Sequence, residues 1–243
     1  VQIDYSQLEQ TIKADYRQVT RQYRLDDEIE VTTENHVRLG NRIRTICDSF
    51  PHPINVLELG CGTGRYFHCV RNADRLVGLD LSEEMLAAAR HPVCEDQIVT
   101  PHIELMQGNV YRADFRPGAF DFIFSLGMFG HGCPVTTQLC EKMHRWLAPG
   151  GKLLFNIVDF AGLPFCYRLR RQVKAAIYPL LPRRIKDRLD ARESRSPFFW
   201  MTARKLKHLM QTTRFARFEI ESHACKSPLG NGRHLECLAE KSA

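Results

Sequence analysis

Two short apolar runs and the residues that end them constrain this chain most. The first, INVLEL over 54–59, runs straight into Gly60-Cys61-Gly62-Thr63-Gly64, and the second, RLVGLD over 75–80, stops at an acid. Six-residue runs rich in branched apolar side chains predict buried strands. The glycines between them allow a tight turn and let a ligand lie against bare backbone. In an open α/β sheet, ligands bind beyond the carboxyl ends of the strands, where this turn falls. Spacing separates the candidate ligands. A dinucleotide fingerprint needs its third glycine at position 65, where Arg65 stands, and a phosphate-binding loop needs a Lys-Ser/Thr pair that is absent here. The chain instead has GxGxG preceded by Glu58, and Asp80 follows 20 residues after Gly60. That placement suits a carboxylate accepting from both ribose hydroxyls of a nucleoside.

The same alternation continues. The spacing predicts a helix from about Arg65 to Asn72, a helix capped by Ser82 and running to Arg90, and a third strand over 102–106. A fourth strand over 120–126, a helix over Pro134–Leu147 and a fifth strand over 152–158 complete a βαβ series, hence a parallel sheet. Upstream, Leu8, Ile12, Tyr16, Val19 and Tyr23 recur at helical spacing, and Thr32 or Thr33 caps a second helix that runs to Phe50. Downstream come a helix over 202–212 and two closing strands, 215–223 and 233–240.

Composition narrows the class. With 44% hydrophobic and 26% charged residues the chain is that of an ordinary globular protein, with no run of ~18 apolar residues to span a membrane. Val1–Gln10 lacks the basic-then-apolar layout expected of a secretory leader. Nine scattered cysteines without a CxxC pair suit a reducing, cytoplasmic setting and no disulfide framework. No four-ligand His/Cys cluster is evident, so no metal is expected.

The residues LELGCGTG, VGLD with LSEEML, and LAPGGKLLF resemble the glycine motif, the second-strand acid with its helix, and the PGG turn of the class I S-adenosylmethionine-dependent methyltransferases. The likeness extends from about Ile54 to Glu240. It implies a Rossmann-like, doubly wound, seven-stranded α/β sheet of order 3-2-1-4-5-7-6 with strand seven antiparallel. It also implies S-adenosyl-L-methionine as cofactor and S-adenosyl-L-homocysteine as product. The expected organisation is one domain over 1–243: a helical arm (1–50), a cofactor core (51–160), a basic insertion (161–197) and a closing helix with two strands (198–243).

In such enzymes the glycine loop approaches the methionine and ribose, which points here to Glu58, Gly60, Cys61, Gly62 and Gly64, with Asp80 and Leu81 at the ribose. The chain departs from the pattern after strand three, where an acid usually accepts from the adenine amino group and Asn109 stands instead. Its amide carbonyl can accept that bond, beside the Val110 N–H, or can form an Asx-turn. Ser125, Leu126 and Gly127 follow strand four and are expected to line the cofactor. His131 is the candidate general base, because neutral imidazole takes a proton near pH 7. The arm is expected to fold over the cofactor, with Tyr16, Tyr23 and His36 as contacts or as core, and Arg65 at the cofactor carboxylate or in solvent.

Charge is concentrated in the insertion. Residues 161–197 hold ten bases and three acids, a net of +7 in a chain of net +6. Pro179 and Pro182 break the insertion into helical pieces that mix bases with apolar residues. It can face water, close over an acidic acceptor, or lie on an anionic membrane. Without a basic groove interleaved with aromatics, nucleic acid is not the expected partner. The expected activity is methyl transfer by direct displacement to a small molecule, oxygen favoured over nitrogen or carbon. The alternatives are a lipid-like acceptor at a membrane surface and a non-catalytic subunit of the same fold that binds a partner protein.

Overall fold

The computed structural model describes residues 5–130, 133–163, 165–182, 185, 199–227 and 230–243. Its strands are β1 (Ile54–Leu59), β2 (Ala73–Asp80), β3 (His102–Gln107), β4 (Phe120–Ser125), β5 (Leu147–Val158), β6 (Arg217–Ser227) and β7 (Gly230–Glu240). They form a seven-stranded sheet of order β3-β2-β1-β4-β5-β7-β6, as expected. The first five are parallel, and β7 is antiparallel to both β5 and β6.

Side chains alternate across the sheet with the period of two that a strand imposes. Leu57, Leu59, Ile123, Leu153 and Phe155 enter one core, with Leu139, Met143 and Trp146 of α4 (Thr137–Trp146) and Leu206 and Met210 of α6 (Ala203–Gln211). Val56, Phe122, Phe124 and Leu154 face the other way, against Leu39, Ile43 and Ile46 of α2 (Glu34–Asp48) and Leu86 of α3 (Glu83–Ala89). Burial on both faces explains why the central strands read as continuous apolar runs. Four helices start where a hydroxyl can cap them: Thr33, Ser82, Thr136 and Thr202 accept from the N–H groups of His36, Met85, Leu139 and Lys205.

The structure corrects several boundaries. The helix expected over 65–72 is only a 3₁₀ turn, Phe67–Cys69. β2 begins two residues early, at Ala73, and Asn72 adopts the left-handed conformation (φ 47°), so no room remains for a full helix. The Asn72 side-chain amide donates to the carbonyls of Cys47, Phe50 and His52, which fixes that corner. α4 begins at Thr137 behind a Thr136 cap, because Pro134 and Val135 precede the capping hydroxyl. β5 takes in the PGG segment and starts at Leu147, opposite Phe120. β6 and β7 extend toward each other, leaving only 228–229 between them.

The arm forms α1 (Tyr5–Glu30), and the insertion supplies α5 (Phe165–Ile177) and a 3₁₀ turn at Tyr178–Leu180. No helix among the described residues is long and apolar enough to cross a membrane.

Candidate cofactor site

β1 ends at Leu59 and the chain reverses through Gly60, Gly62 and Gly64, all left-handed, with φ of 68°, 54° and 76°. Their roles differ. A Cβ on Gly60 would lie 2.6 Å from the Met128 side chain, and one on Gly64 would lie 2.6 Å from the Phe67 ring. A Cβ on Gly62 would meet nothing within 4 Å, because Gly62 faces a cavity beyond the strand ends. Gly64 is therefore a packing glycine and does not reach the cavity wall, contrary to expectation.

Asp80 sits across this turn. Its Oδ2 accepts from the Gly62 N–H at 2.8 Å and its Oδ1 from the Ser82 N–H at 2.9 Å. Burial pushes its carboxyl above the usual range, and the Ser82 and Gly62 N–H groups act against that. Two oxygens offer about four acceptor sites, so each keeps capacity for a further donor aimed from the cavity. Glu58 is buried, and its Oε2 has no hydrogen-bond partner in the protein. Burial holds its carboxyl well above the ordinary carboxylate range, which favours the neutral acid.

The loop after β3 combines two features at Asn109. The residue lines the cavity, yet its Oδ1 accepts from the Tyr111 N–H at 2.9 Å, an Asx-turn. Its Nδ2 donates to Glu9 Oε2 at 2.9 Å, which brings a carboxylate of α1 to the place where the sequence lacks one. Hydrogen bonds from Asn109 and Lys13 hold the Glu9 carboxyl below its ordinary value, so Glu9 is an anion.

After β4, Leu126 and Gly127 line the cavity, and a Cβ on Gly127 would meet nothing within 4 Å. The Gly127 N–H donates to the Asn156 side chain at 2.8 Å, which fixes the loop. Ser125 does not line the cavity. It is fully buried and its hydroxyl donates to the Leu59 carbonyl at 2.9 Å, tying β4 to β1. His131 lies outside the described residues, as does the Tyr16 side chain.

α1 closes one side of the cavity with Glu9, Ile12, Tyr23 and Asp27. The Thr63 hydroxyl of the glycine turn donates to Asp27, and Arg65 Nη1 stands 3.4 Å from the same carboxylate. Burial raises the Asp27 carboxyl, against the Thr63 hydrogen bond and the Arg65 charge. Arg65 also lines the cavity and is not simply solvated. His36 is core: its ring stacks on Tyr66 with centroids 4.6 Å apart, behind the cavity wall. His36, His68 and Cys69 approach one another, but the Arg44 guanidinium lies 3.8 Å from the Cys69 sulfur and opposes a cation there.

Leu81, Cys61 and Val110 complete the expected set, and all three line the cavity. Glu9, Asp27 and Met128 were not anticipated. Contact across the fold brings in Glu9 and Asp27, whereas Met128 follows Gly127 in the loop after β4.

Residues 56–151 match the family model described as a methyltransferase domain. A demethylmenaquinone methyltransferase of Lactococcus lactis subsp. lactis is 25% identical over 195 residues, covering 78% of this chain and 74% of that protein. The enzyme of that name from Listeria monocytogenes serotype 4a is 32% identical over 103 residues, 41% of this chain and 42% of the relative. Among solved structures, the Haemonchus contortus phosphoethanolamine N-methyltransferase 2 complexed with S-adenosylhomocysteine superposes with a TM-score of 0.58. It is 16% identical, over 85% of this chain and 53% of that one. Magnesium protoporphyrin IX methyltransferase from Synechocystis PCC 6803, with S-adenosylhomocysteine bound, gives 0.56 at 15% identity over 97% of this chain and 100% of that one. The sheet order, the glycine turn and these likenesses agree: the chain carries the domain of a class I S-adenosylmethionine-dependent methyltransferase, an enzyme that uses that cofactor.

Proposed function

We propose that S-adenosylmethionine occupies the cavity between the glycine turn and α1, and that its methyl group passes to a small, quinol-type acceptor. The observation that carries this reading is the pairing of Gly62 and Asp80. A wall left open by a missing Cβ faces a carboxylate already oriented by two backbone donors. Asp80 accepts from the ribose hydroxyls, beside Leu81. Gly60, Cys61 and Gly62 let backbone approach the methionine and ribose, with Glu58 and Arg65 near the polar end. Leu126 and Gly127 form the opposite wall, and Val110 and Asn109 flank the adenine. The cofactor supplies an activated methyl on a sulfonium, so the protein has only to align the acceptor and, where needed, take a proton. In this reading the arm, core, insertion and closing segment act as one domain.

Glu9 takes over the adenine-side acid. Losing one hydrogen bond to a charged group costs roughly 1.5 kcal/mol, about tenfold in affinity. Glu9→Ala is expected to weaken S-adenosylhomocysteine by that factor in calorimetry and to leave S-inosylhomocysteine, which lacks the exocyclic amino group, unchanged. Equal losses for both ligands would make Glu9 a support of the arm only.

The acceptor class draws on the curated relatives, which are named for a quinone. A quinol ring is nucleophilic at oxygen and at carbon once a proton is removed. His131 remains the proposed base: His131→Ala should lower turnover about 100-fold with S-adenosylhomocysteine affinity kept, and unchanged turnover would remove it from that role. Such an acceptor resides in a bilayer, and residues 161–197 are the part of the chain suited to meet one. The test is incubation with methyl-labelled cofactor and a reduced, short-chain demethylmenaquinone. A methylated product is expected, with oxygen or carbon attachment read by NMR. No product from a protein that binds S-adenosylhomocysteine would overturn the acceptor class.

A further inference from the structure

An apolar arc of α5 is turned to solvent. At 100° per residue, Phe165, Leu169, Val173 and Ile177 lie successively 40° apart, on one arc of about 120°. Phe165 is 71% exposed and the other three are 45–48% exposed; Leu180, just beyond, is 82% exposed. Cys166 and Ala176 fall within the same arc and are exposed too. A helix that merely packed on the domain would bury this arc and show its polar side. Charge states what the arc faces. From Phe160 to Lys186 the sequence has seven bases and no acid.

The insertion is rooted beside the site. The Phe199 N–H donates to the Gly130 carbonyl at 2.7 Å, and the Phe160 N–H donates to the Met201 carbonyl at 2.9 Å. Both ends of 161–198 therefore leave the sheet next to the β4 loop that lines the cavity.

We propose that α5 is an interfacial helix that docks on an anionic lipid surface, sinking its Phe165–Ile177 arc and Leu180 into the headgroup boundary. Apolar burial and attraction to anionic lipid are the two forces that hold such helices at an interface. The position of its roots brings the cavity mouth to the membrane, where a lipid-borne acceptor resides. That purpose rests on the acceptor reading, whereas docking itself does not.

The test is co-sedimentation of the full chain with phosphatidylcholine vesicles, with and without phosphatidylglycerol, at low and high salt. Binding is expected only to the anionic vesicles, and weaker at high salt. The double variant Leu169→Asp, Val173→Asp should lower the bound fraction at least tenfold and leave S-adenosylhomocysteine affinity unchanged, which shows that the fold is intact. Failure of the wild-type chain to bind anionic vesicles, or equal binding by the double variant, would overturn docking whatever the acceptor. Sedimentation velocity is run alongside. A dimer that the same substitutions dissociate, without lipid binding, would assign the arc to a second copy and overturn the proposal. Loss of methylation with vesicle binding intact would count against the acceptor alone.

Discussion

Asp80→Ala is expected to weaken S-adenosylhomocysteine binding by at least 100-fold. The wild-type carboxylate is held by the Gly62 and Ser82 N–H groups, so in the proposed site it would meet the ribose without having to be ordered first. Two hydrogen bonds to a charged group are worth roughly 3 kcal/mol together, which is about 100-fold in affinity. Losing the carboxylate also leaves two backbone donors unsatisfied, which costs stability on the order of 1 kcal/mol each. Binding should therefore be measured by calorimetry well below the unfolding temperature, with a melting curve recorded beside it. A variant that binds within threefold of wild type would remove Asp80 from the site.

Gly62→Val is expected to abolish measurable binding for a different reason. A side chain at this position meets no protein atom within 4 Å, so its atoms would fill cavity space instead. The backbone adds a second effect, because φ of 54° costs a residue with a Cβ about 1–2 kcal/mol. Gly150 provides the control. It is also left-handed, at φ 72°, and also open to 4 Å, but it lies in the turn at the start of β5, away from the cavity. Gly150→Val should lose similar stability and keep its affinity. If both variants lost affinity equally, backbone strain and not a blocked cavity would be the cause.

The sheet was legible because its signal is local. β1 and β4 begin within a residue of where their apolar runs begin, and Asp80 ends β2 as its spacing required. The 3₁₀ turn at Phe67–Cys69 was not legible, since the early start of β2 is set by pairing with β1 at Ile54 and Ala73. Side-chain direction was the harder quantity. Gly64 and Ser125 sit in the right segments, but one packs on Phe67 and the other bonds Leu59, and sequence does not show which way a loop residue turns. Glu9 and Asp27 were illegible because α1 reaches the cavity through contacts with Asn109 and Thr63, 100 and 36 residues away in the chain. Basic content marked the insertion in the sequence, but only the structure showed that an apolar arc of α5 is exposed.

Direct calorimetric titration of the purified chain with S-adenosylmethionine, S-adenosylhomocysteine and NADH tests the central claim. Binding of both adenosyl compounds with micromolar affinity, about −8 kcal/mol, and no heat with NADH is the predicted result. Tight NADH binding, or no binding of either adenosyl compound, would contradict it.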